Sequence, residues 1–247
     1  MKTDRQNVAS APSESRHRPG LAGGNARSAA AFSLIELLTV IAIIGFLMAI
    51  GIGLTAVASR KSKESRIRAE LNNLVTAIED YRATFGQYPP DNNRSGTNYR
   101  PALNPLYYEL LGVVVTNQGF SNRGVAETRW FTHIHASNAF GVVGFRNSEE
   151  PPHRPKSFLQ DVKSSQYREL SFKTGDPALR VLTPGIDVPA KSKNNIFGSA
   201  MDNDPVAKRV NPWRYVSTRP TNNPASFDLW ADVVIGTKTV RIGNWKQ

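Results

Sequence analysis

The histidines of this 247-residue chain include one pair whose spacing fits metal chemistry. They occupy alternate positions in His133-Ile134-His135, and alternate side chains of an extended strand point to the same face. A neutral imidazole nitrogen is a common metal ligand, but structural zinc sites use four protein ligands and catalytic sites three. No third ligand is evident in the sequence. We therefore interpret the pair as solvated or hydrogen-bonded histidines of a strand.

The chain lacks the motifs of the common enzyme classes. It contains no nucleophile elbow, no paired-carboxylate motif and no phosphate loop, and Gly51-Ile52-Gly53 lies in an apolar segment. Zero cysteines exclude disulfides, cysteine-ligated zinc and thiol catalysis together. We predict that the protein is not an enzyme and has no cofactor.

A single acid in an apolar run is the second candidate for chemistry. Between Phe32 and Ala58, Glu36 is the one ionisable side chain. A helix of about 27 residues is near 40 Å long and can cross a hydrocarbon core of about 30 Å. A carboxylate inside it costs about 2.5–3.5 kcal/mol and needs a partner, unless it stays solvated at the membrane edge. The sequence predicts a transmembrane helix over 32–58.

The residues around this acid are similar to the amino terminus of a known family. Phe-Ser-Leu-Ile-Glu-Leu-Leu-Thr-Val-Ile-Ala-Ile-Ile-Gly, beginning at Phe32, resembles type IV pilins and type II secretion pseudopilins. The resemblance implies that prepilin peptidase cleaves between Ala31 and Phe32 and N-methylates Phe32. It also implies that Glu36 faces the terminal amine of a neighbouring filament subunit, and Gly45 matches a glycine usual in the family.

Two positions depart from the family pattern. Ala31 stands where a glycine usually precedes the cleavage site, and Gly53 stands where many relatives have proline. Glycine weakens a helix interior by about 1 kcal/mol relative to alanine, so we expect the helix to stretch near Gly53 during assembly. A rival interpretation is a signal-peptidase site at Ala56-Val57-Ala58, but the apolar run exceeds the usual signal core.

The sequence on either side of the apolar run indicates a leader before it and a continued helix behind it. Residues 1–31 are rich in Ser, Gly, Ala and Arg and predict a disordered cytoplasmic leader. Behind the apolar run, a stripe recurs at helical spacing, and Gly86 with Pro89-Pro90 ends the pattern. We predict one helix from about Ser33 to Phe85 within a pilin-helix segment of 32–86, packed on a head through the stripe. The stripe consists of Ile67, Leu71, Leu74, Ile78, Tyr81 and Phe85.

We predict that residues 87–247 form a periplasmic globular head, and the sequence pattern is clearest near the end of the chain. Apolar and polar residues alternate from Phe227 to Ile235, Gly236-Thr237-Lys238 can turn the chain, and Val240 and Ile242 alternate in a returning strand. The Asn244-Trp245 ending resembles major pseudopilins. The predicted fold is α+β and pilin-like, with a long N-terminal membrane-spanning helix packed on a small antiparallel β-sheet head and a terminal β-hairpin.

The middle of the head gives weaker signals. We predict a short helix at Asn104–Gly112 with proline in its first turn and glycine at its end. Short strands or buried loop are predicted at Val113–Val115 and Gly141–Phe145. A surface loop at Ser148–Pro155 and a helical turn at Phe158–Val162 complete the interpretation.

Major pseudopilins bind calcium near the terminal hairpin, and the resemblance makes Asp228 and Asp232 weak candidate ligands here. Calcium takes six to eight oxygens, whereas two strand carboxylates beside Arg241 form a poor cage. We predict no metal at this position. Instead, we expect Asp228 or Asp232 to pair with Arg241 or Lys238 across the hairpin.

The chain is strongly basic, with a net charge of +11, of which the leader carries +3 and the mature part +8. Such a charge suits anionic headgroups, nucleic acid or acidic polymers. The tryptophans could stack single-stranded bases, but nothing else supports nucleic acid, and we expect them in core and hairpin packing. They are Trp130, Trp213, Trp230 and Trp245.

The resemblance implies a function and a location. The predicted protein is a type II secretion pseudopilin that polymerises with itself and other pseudopilins, with an assembly ATPase and a platform protein, and drives protein export. The alternative is a type IV pilus subunit, major or minor, for adhesion, motility or DNA uptake. A third is a membrane-anchored module that never polymerises. The predicted location is the bacterial inner membrane, single-pass, with a cytoplasmic amino terminus and a periplasmic head, then a periplasmic or extracellular filament.

Overall fold

The computed structural model describes residues 32–92, 100–122, 130–148, 154–172, 175–186, 209–236 and 238–246. The side chains of 50–56 and 122 are excluded from this description. The predicted leader, 1–31, and Ala31 with it, lies outside the described residues. The chain divides into two compact units, 1–51 and 52–247, and helix α1 (Leu34–Phe85) has residues in both.

The predicted membrane span over 32–58 is wrong. In the described part of the chain, no helix is both long enough and apolar enough to cross a membrane. This finding makes the predicted fold class wrong in its membrane-spanning helix. It also makes the predicted single-pass inner-membrane location wrong. What the structure has is a mixture of helices and small antiparallel sheets.

The rear part of α1 buries the apolar stripe that its spacing predicts. Ile67, Leu71, Leu74, Ile78 and Tyr81 are buried in the core, and Phe85 packs against that core while partly exposed. The helix ends where the Gly86 N–H donates to the Arg82 carbonyl at 2.8 Å. Gly86 has φ +75°, a left-handed conformation that glycine adopts without a Cβ penalty.

The next elements form a first small sheet with a helix on each side in sequence. Helix α2 (Leu106–Leu111) precedes strands β1 (Val113–Thr116), β2 (Gly119–Asn122) and β3 (Trp130–Phe131), and helix α3 (His133–Phe140) follows. The three strands pair antiparallel in the order β1-β2-β3. The predicted short helix and the strand at Val113 are confirmed, with Pro105 at the N-cap of α2.

Three predictions for the middle of the head are corrected by the structure. In the predicted surface loop Ser148–Pro155, Ser148 is buried and bridges Val113 in parallel, so the loop does not begin there. Residues 149–153 of that loop lie outside the described residues. Phe158–Val162 forms bends rather than a helical turn, and Asp161 within it has φ +50°. Gly141–Phe145 forms no strand; it is an irregular segment in which Phe145 is buried and Val143 is exposed.

Two further sheets complete the head. A short 3₁₀ turn (Ser164–Gln166) leads into strands β4 (Tyr167–Leu170) and β5 (Leu179–Leu182), which pair antiparallel. The last sheet has the order β6-β7-β8, with β6 (Arg214–Val216), β7 (Asp228–Ile235) and β8 (Lys238–Gly243).

The predicted terminal hairpin is confirmed. Strands β7 and β8 pair antiparallel from Trp230 with Gly243 to Ile235 with Lys238. The face of β7 that holds Leu229 and Ala231 is buried, while the intervening residues are partly exposed from Trp230 onward. Trp245 packs edge to face on Trp230, with ring centroids 5.8 Å apart.

The segment after α1 is bonded directly to β6 and to the segment after β6. Tyr215 and Ser217 hydroxyls donate to the Pro89 carbonyl at 3.0 and 2.9 Å. The buried Asp91 carboxylate accepts from the Ser217 N–H at 2.9 Å and, at 2.9 and 2.7 Å, from the N–H and hydroxyl of Thr218. The exit of the helix and the last sheet are therefore joined by five hydrogen bonds.

Candidate assembly surface

The front part of α1 exposes large apolar side chains on every side. Leu34 is 81% exposed, and Phe32, just before the helix, is 82% exposed. Residues of one helix advance about 100° each, so exposed side chains at nearly every position cover the whole circumference. Further exposed members are Ile35, Leu37, Leu38, Val40, Ile41, Ile43, Ile44, Phe46, Leu47 and Met48. We call residues 34–48 the apolar surface.

Glu36, the one acid in this surface, bonds to the first turn of its own helix. Its Oε2 accepts from the Ser33 N–H at 2.9 Å, while Ser33 Oγ accepts from the Ile35 N–H at 3.3 Å. This reciprocal arrangement is a variant of the capping box, in which the serine accepts from the second helical N–H rather than the third, and it satisfies backbone donors that have no partner in the helix. The Ser-x-x-Glu spacing is a sequence signature of it, although the apolar pattern draws attention to Glu36 for a different reason.

We expect Ser33→Ala to loosen the start of α1. Loss of the Oγ acceptor costs about 1 kcal/mol, so the Ile35 amide should exchange its hydrogen about fivefold faster. Hydrogen-exchange NMR measures this. Ser62→Ala, at an exposed serine in the middle of the same helix, is the control and should leave Ile35 unchanged. Equal exchange at Ile35 in all three proteins contradicts the cap.

The other two predicted assembly residues are Gly45 and Gly53, both within the bounds of α1. A Cβ added to Gly45 meets no atom within 4 Å, so contacts within the subunit do not require glycine there. Gly53 lies within the bounds of α1, but its surroundings are outside the description. The structure thus brings Phe32, Ser33 and Glu36 together at the start of the helix and places Gly45 farther along the same exposed segment.

Asp228, a weak calcium candidate, is already occupied by protein donors. It is 2% exposed, and its Oδ2 accepts from the N–H groups of Thr221 and Asn222 at 2.8 and 2.9 Å and from Asn222 Nδ2 at 3.0 Å. Its Oδ1 accepts from the Asn223 N–H at 2.8 Å. The carboxylate therefore anchors a loop through four hydrogen bonds.

Asp232 forms the ion pair that the hairpin predicts. Its Oδ1 accepts from Arg241 Nε at 2.7 Å and its Oδ2 from Arg241 Nη2 at 3.2 Å, so the predicted pairing with Arg241 is confirmed. Arg214 Nη1 lies 3.6 Å from the same carboxylate. Within the described ranges, no group of three or more His, Asp or Glu side chains could hold a metal.

The histidine pair does not lie in a strand, so that prediction is wrong. His133 and His135 begin helix α3, where residues two apart point about 200° away from each other. His135 closes a second capping box: its Nδ1 accepts from the Thr132 N–H at 3.1 Å, and its own N–H donates to Thr132 Oγ1 at 3.4 Å. Its Nε2 faces Asp176 Oδ1 at 3.7 Å. Because Thr132 and His135 together cap the start of α3, they favour a helix rather than a strand here.

The sequence reasoning missed a buried acid, Glu109, which is fully buried in α2. Its Oε2 accepts from the Tyr81 hydroxyl at 2.9 Å and from the Asn147 N–H at 3.1 Å, and its Oε1 accepts from the Arg146 N–H at 3.1 Å. It thereby links α1, α2 and the segment after α3. The signal was an acid inside the otherwise apolar Leu106–Leu111.

Burial dominates the electrostatics of the buried acids. It raises the pKa of Glu109, and the hydrogen bonds from Asn147, Arg146 and Tyr81 lower that pKa only in part. Burial also raises the pKa of Glu70, on the stripe side of α1. The pKa of the Tyr81 hydroxyl is raised by burial and by the neighbouring Glu109. These groups hold the head together and lie outside the apolar surface.

Compared with known proteins, the chain matches no family model, no curated protein and no solved structure. The likeness of the segment from Phe32 to pilins and pseudopilins therefore stays a prediction. What the chain does must be inferred from its own residues and contacts, together with that motif.

Proposed function

We propose that the chain is the precursor of a pilin-like filament subunit, a type II secretion pseudopilin that polymerises into a pseudopilus for protein export. The observation that carries this proposal is the exposure of apolar side chains around the whole circumference of α1 over residues 34–48. A helix that is apolar on all sides is stable only when it is buried among other elements. Soluble monomers rarely expose contiguous apolar patches of this kind.

Copies of the same helix are the partner that we propose for the apolar surface. Each leucine, isoleucine or phenylalanine that becomes fully buried gains about 1.5–3 kcal/mol. A homopolymer offers every subunit the same apolar partner, and other pseudopilins offer a similar one. The open space around Gly45 supports this packing, because a position without Cβ permits close approach of a neighbouring helix.

Glu36 supplies the specificity in this proposal. Cleavage between Ala31 and Phe32 by prepilin peptidase creates a cationic terminal amine, which N-methylation leaves charged. A carboxylate buried in the apolar filament core requires such a counter-ion. The capping box directs the Glu36 carboxylate toward the start of the helix, where the amine of a neighbouring Phe32 would meet it. An assembly ATPase and a platform protein complete the proposed machinery.

The second candidate function is a type IV pilus subunit for adhesion, motility or DNA uptake. The net charge of the mature chain, +8, favours it because a basic surface attracts anionic polymers such as DNA. A deletion strain separates the two: loss of exoprotein export with intact twitching and transformation supports the pseudopilin, and the reverse result supports the pilus.

The main test is Glu36→Gln. Glutamine also forms capping boxes, so the start of α1 is retained while the charge is removed. Leaving the neighbouring amine unpaired should weaken subunit association by about 3 kcal/mol, which is a rise of more than 100-fold in the protein concentration needed for filaments. Electron microscopy and sedimentation of purified mature protein measure it.

Glu64→Gln provides the matched control. Glu64 lies on the same helix in a surface pair with Arg68, and its loss should change assembly less than fivefold. Filaments of Glu36→Gln that form as readily as wild type show that the acid serves only as a cap. A native polypeptide that begins at Met1 or Ser59, by mass spectrometry, overturns the proposed processing.

A further inference from the structure

A cavity of about 310 Å³ lies beside the rear part of α1, within the unit 52–247 and away from the apolar surface. Its wall combines one acid, Glu70, with apolar side chains that include Leu74, Phe158 and Leu182. Ligand sites in proteins commonly have volumes of about 300–1,000 Å³. The cavity is therefore of the size that holds one small molecule.

Glu70 is a buried carboxyl group with incomplete compensation. It is 8% exposed, and its Oε1 accepts a long hydrogen bond, 3.4 Å, from the indole N–H of the fully buried Trp213. None of the ion pairs among the described residues includes Glu70. Burial raises its pKa, and Trp213, Arg66 and Gln166 offset that effect only in part. A buried acid normally has a close cationic partner.

We infer that this cavity binds a small primary amine, with its ammonium group on Glu70 and its apolar body against Leu74, Phe158 and Leu182. The ammonium supplies a counter-ion in direct contact, which Glu70 lacks among the described ion pairs. A hydrogen bond between an ammonium and a carboxylate joins two charged groups and is stronger than the long bond from the neutral indole of Trp213. The apolar wall excludes water around a hydrocarbon stem, while the side-chain oxygen of Asn73, at the edge of the cavity, can accept a further ammonium proton.

The test uses phenethylammonium as the probe on the full chain. Because Trp213 donates to Glu70, its indole N–H signal reports an occupant of the site, and Trp213→Phe identifies that signal among those of the other tryptophans. We expect a saturable shift of this signal in a ¹H–¹⁵N spectrum. The matched anion 3-phenylpropionate, with the same ring and a similar stem, should leave it unshifted. Equal shifts from both probes, or no shift up to about 10 mM phenethylammonium, overturn the inference.

Two variants locate the probe. Glu70→Gln retains the shape of the side chain and removes its charge, so affinity for phenethylammonium should fall about tenfold or more. Asn73→Phe places a ring at an exposed position of the cavity wall and should block the probe while Glu70 stays intact. This second variant keeps the test informative if Glu70→Gln fails to fold. Unchanged affinity in Asn73→Phe shows that the probe binds elsewhere and overturns the site.

Discussion

Glu109→Ala is expected to destabilise the unit 52–247 by about 3–5 kcal/mol. The change leaves the Tyr81 hydroxyl and the N–H groups of Arg146 and Asn147 without their acceptor and opens a cavity in the core. Each unsatisfied buried donor costs about 1–3 kcal/mol. Urea unfolding of the full chain, followed by circular dichroism, measures the loss.

The control for this variant is Glu79→Ala, at an exposed acid of α1, the helix that supplies Tyr81. Glu79 contacts the Tyr88 hydroxyl and lies 3.9 Å from Arg82 at the surface, so its removal should cost less than about 1 kcal/mol. Tyr81→Phe removes the donor of the hydrogen bond between Tyr81 and Glu109 and so tests the same bond. If Glu109→Ala and Tyr81→Phe destabilise independently in a double-mutant cycle, the hydrogen bond between them carries no energy.

The same acid gives stability a defined dependence on pH. Burial raises the pKa of Glu109, so above about pH 4.5, the ordinary value of the group, the folded state binds more protons than the unfolded state. Stability is then largest below that pH and falls, by up to about 1.4 kcal/mol per pH unit, as the pH rises through the raised pKa. Glu109→Gln lacks this contribution.

The free-energy difference between wild type and Glu109→Gln should therefore shrink as the pH rises. Glu70 contributes in the same direction because burial raises its pKa too, so the double variant Glu70→Gln/Glu109→Gln should have the flattest profile. Urea midpoints between pH 4 and pH 8 measure this, over a range of about four pH units. A difference that grows with pH shows that the hydrogen bonds to Glu109 outweigh its burial.

Asp228→Ala is the second substitution with a large expected effect, about 3 kcal/mol or more. Four donors from Thr221, Asn222 and Asn223 lose their shared acceptor, and the loop before β7 loses its anchor. Asp228→Asn retains the shape and one acceptor oxygen and should lose about half as much. Thermal unfolding and hydrogen exchange of residues 221–223 measure the result.

Addition of calcium tests whether Asp228 anchors the loop or binds a metal. Because both carboxylate oxygens of Asp228 accept protein N–H groups, millimolar calcium should leave the melting temperature of the wild type unchanged. Asp80→Ala, at an exposed acid of α1, should behave like wild type with and without calcium. A rise in melting temperature on adding calcium contradicts this assignment of Asp228.

Sequence patterns predict the elements in which buried and exposed side chains recur with a regular period over many residues. The stripe from Ile67 to Tyr81 recurs at helical spacing because one face of α1 covers the core, and the alternation in β7 follows from its one buried face. Strands β2 to β5 are two to four residues long, too short to show a period, and their partners are set by packing.

Polar residues are harder to predict because one residue type has several roles. Glu36 and His135 both close capping boxes, yet the first attracts notice as an acid in an apolar run and the second as half of a metal pair. The Thr132 spacing to His135 uses histidine where the signature has Glu or Gln. The partners of Glu109 come from α1 and from residues 146 and 147, which no local pattern joins.

The hydrogen bonds that Pro89 and Asp91 form with residues 215–218 have a mechanical consequence. Tension applied along the rear of α1 passes at the helix exit into β6 and, through its pairing with β7, into the terminal hairpin. A pulled subunit should therefore yield at the exit of the helix only after these five bonds break together, and Asp91→Ala should lower its rupture threshold.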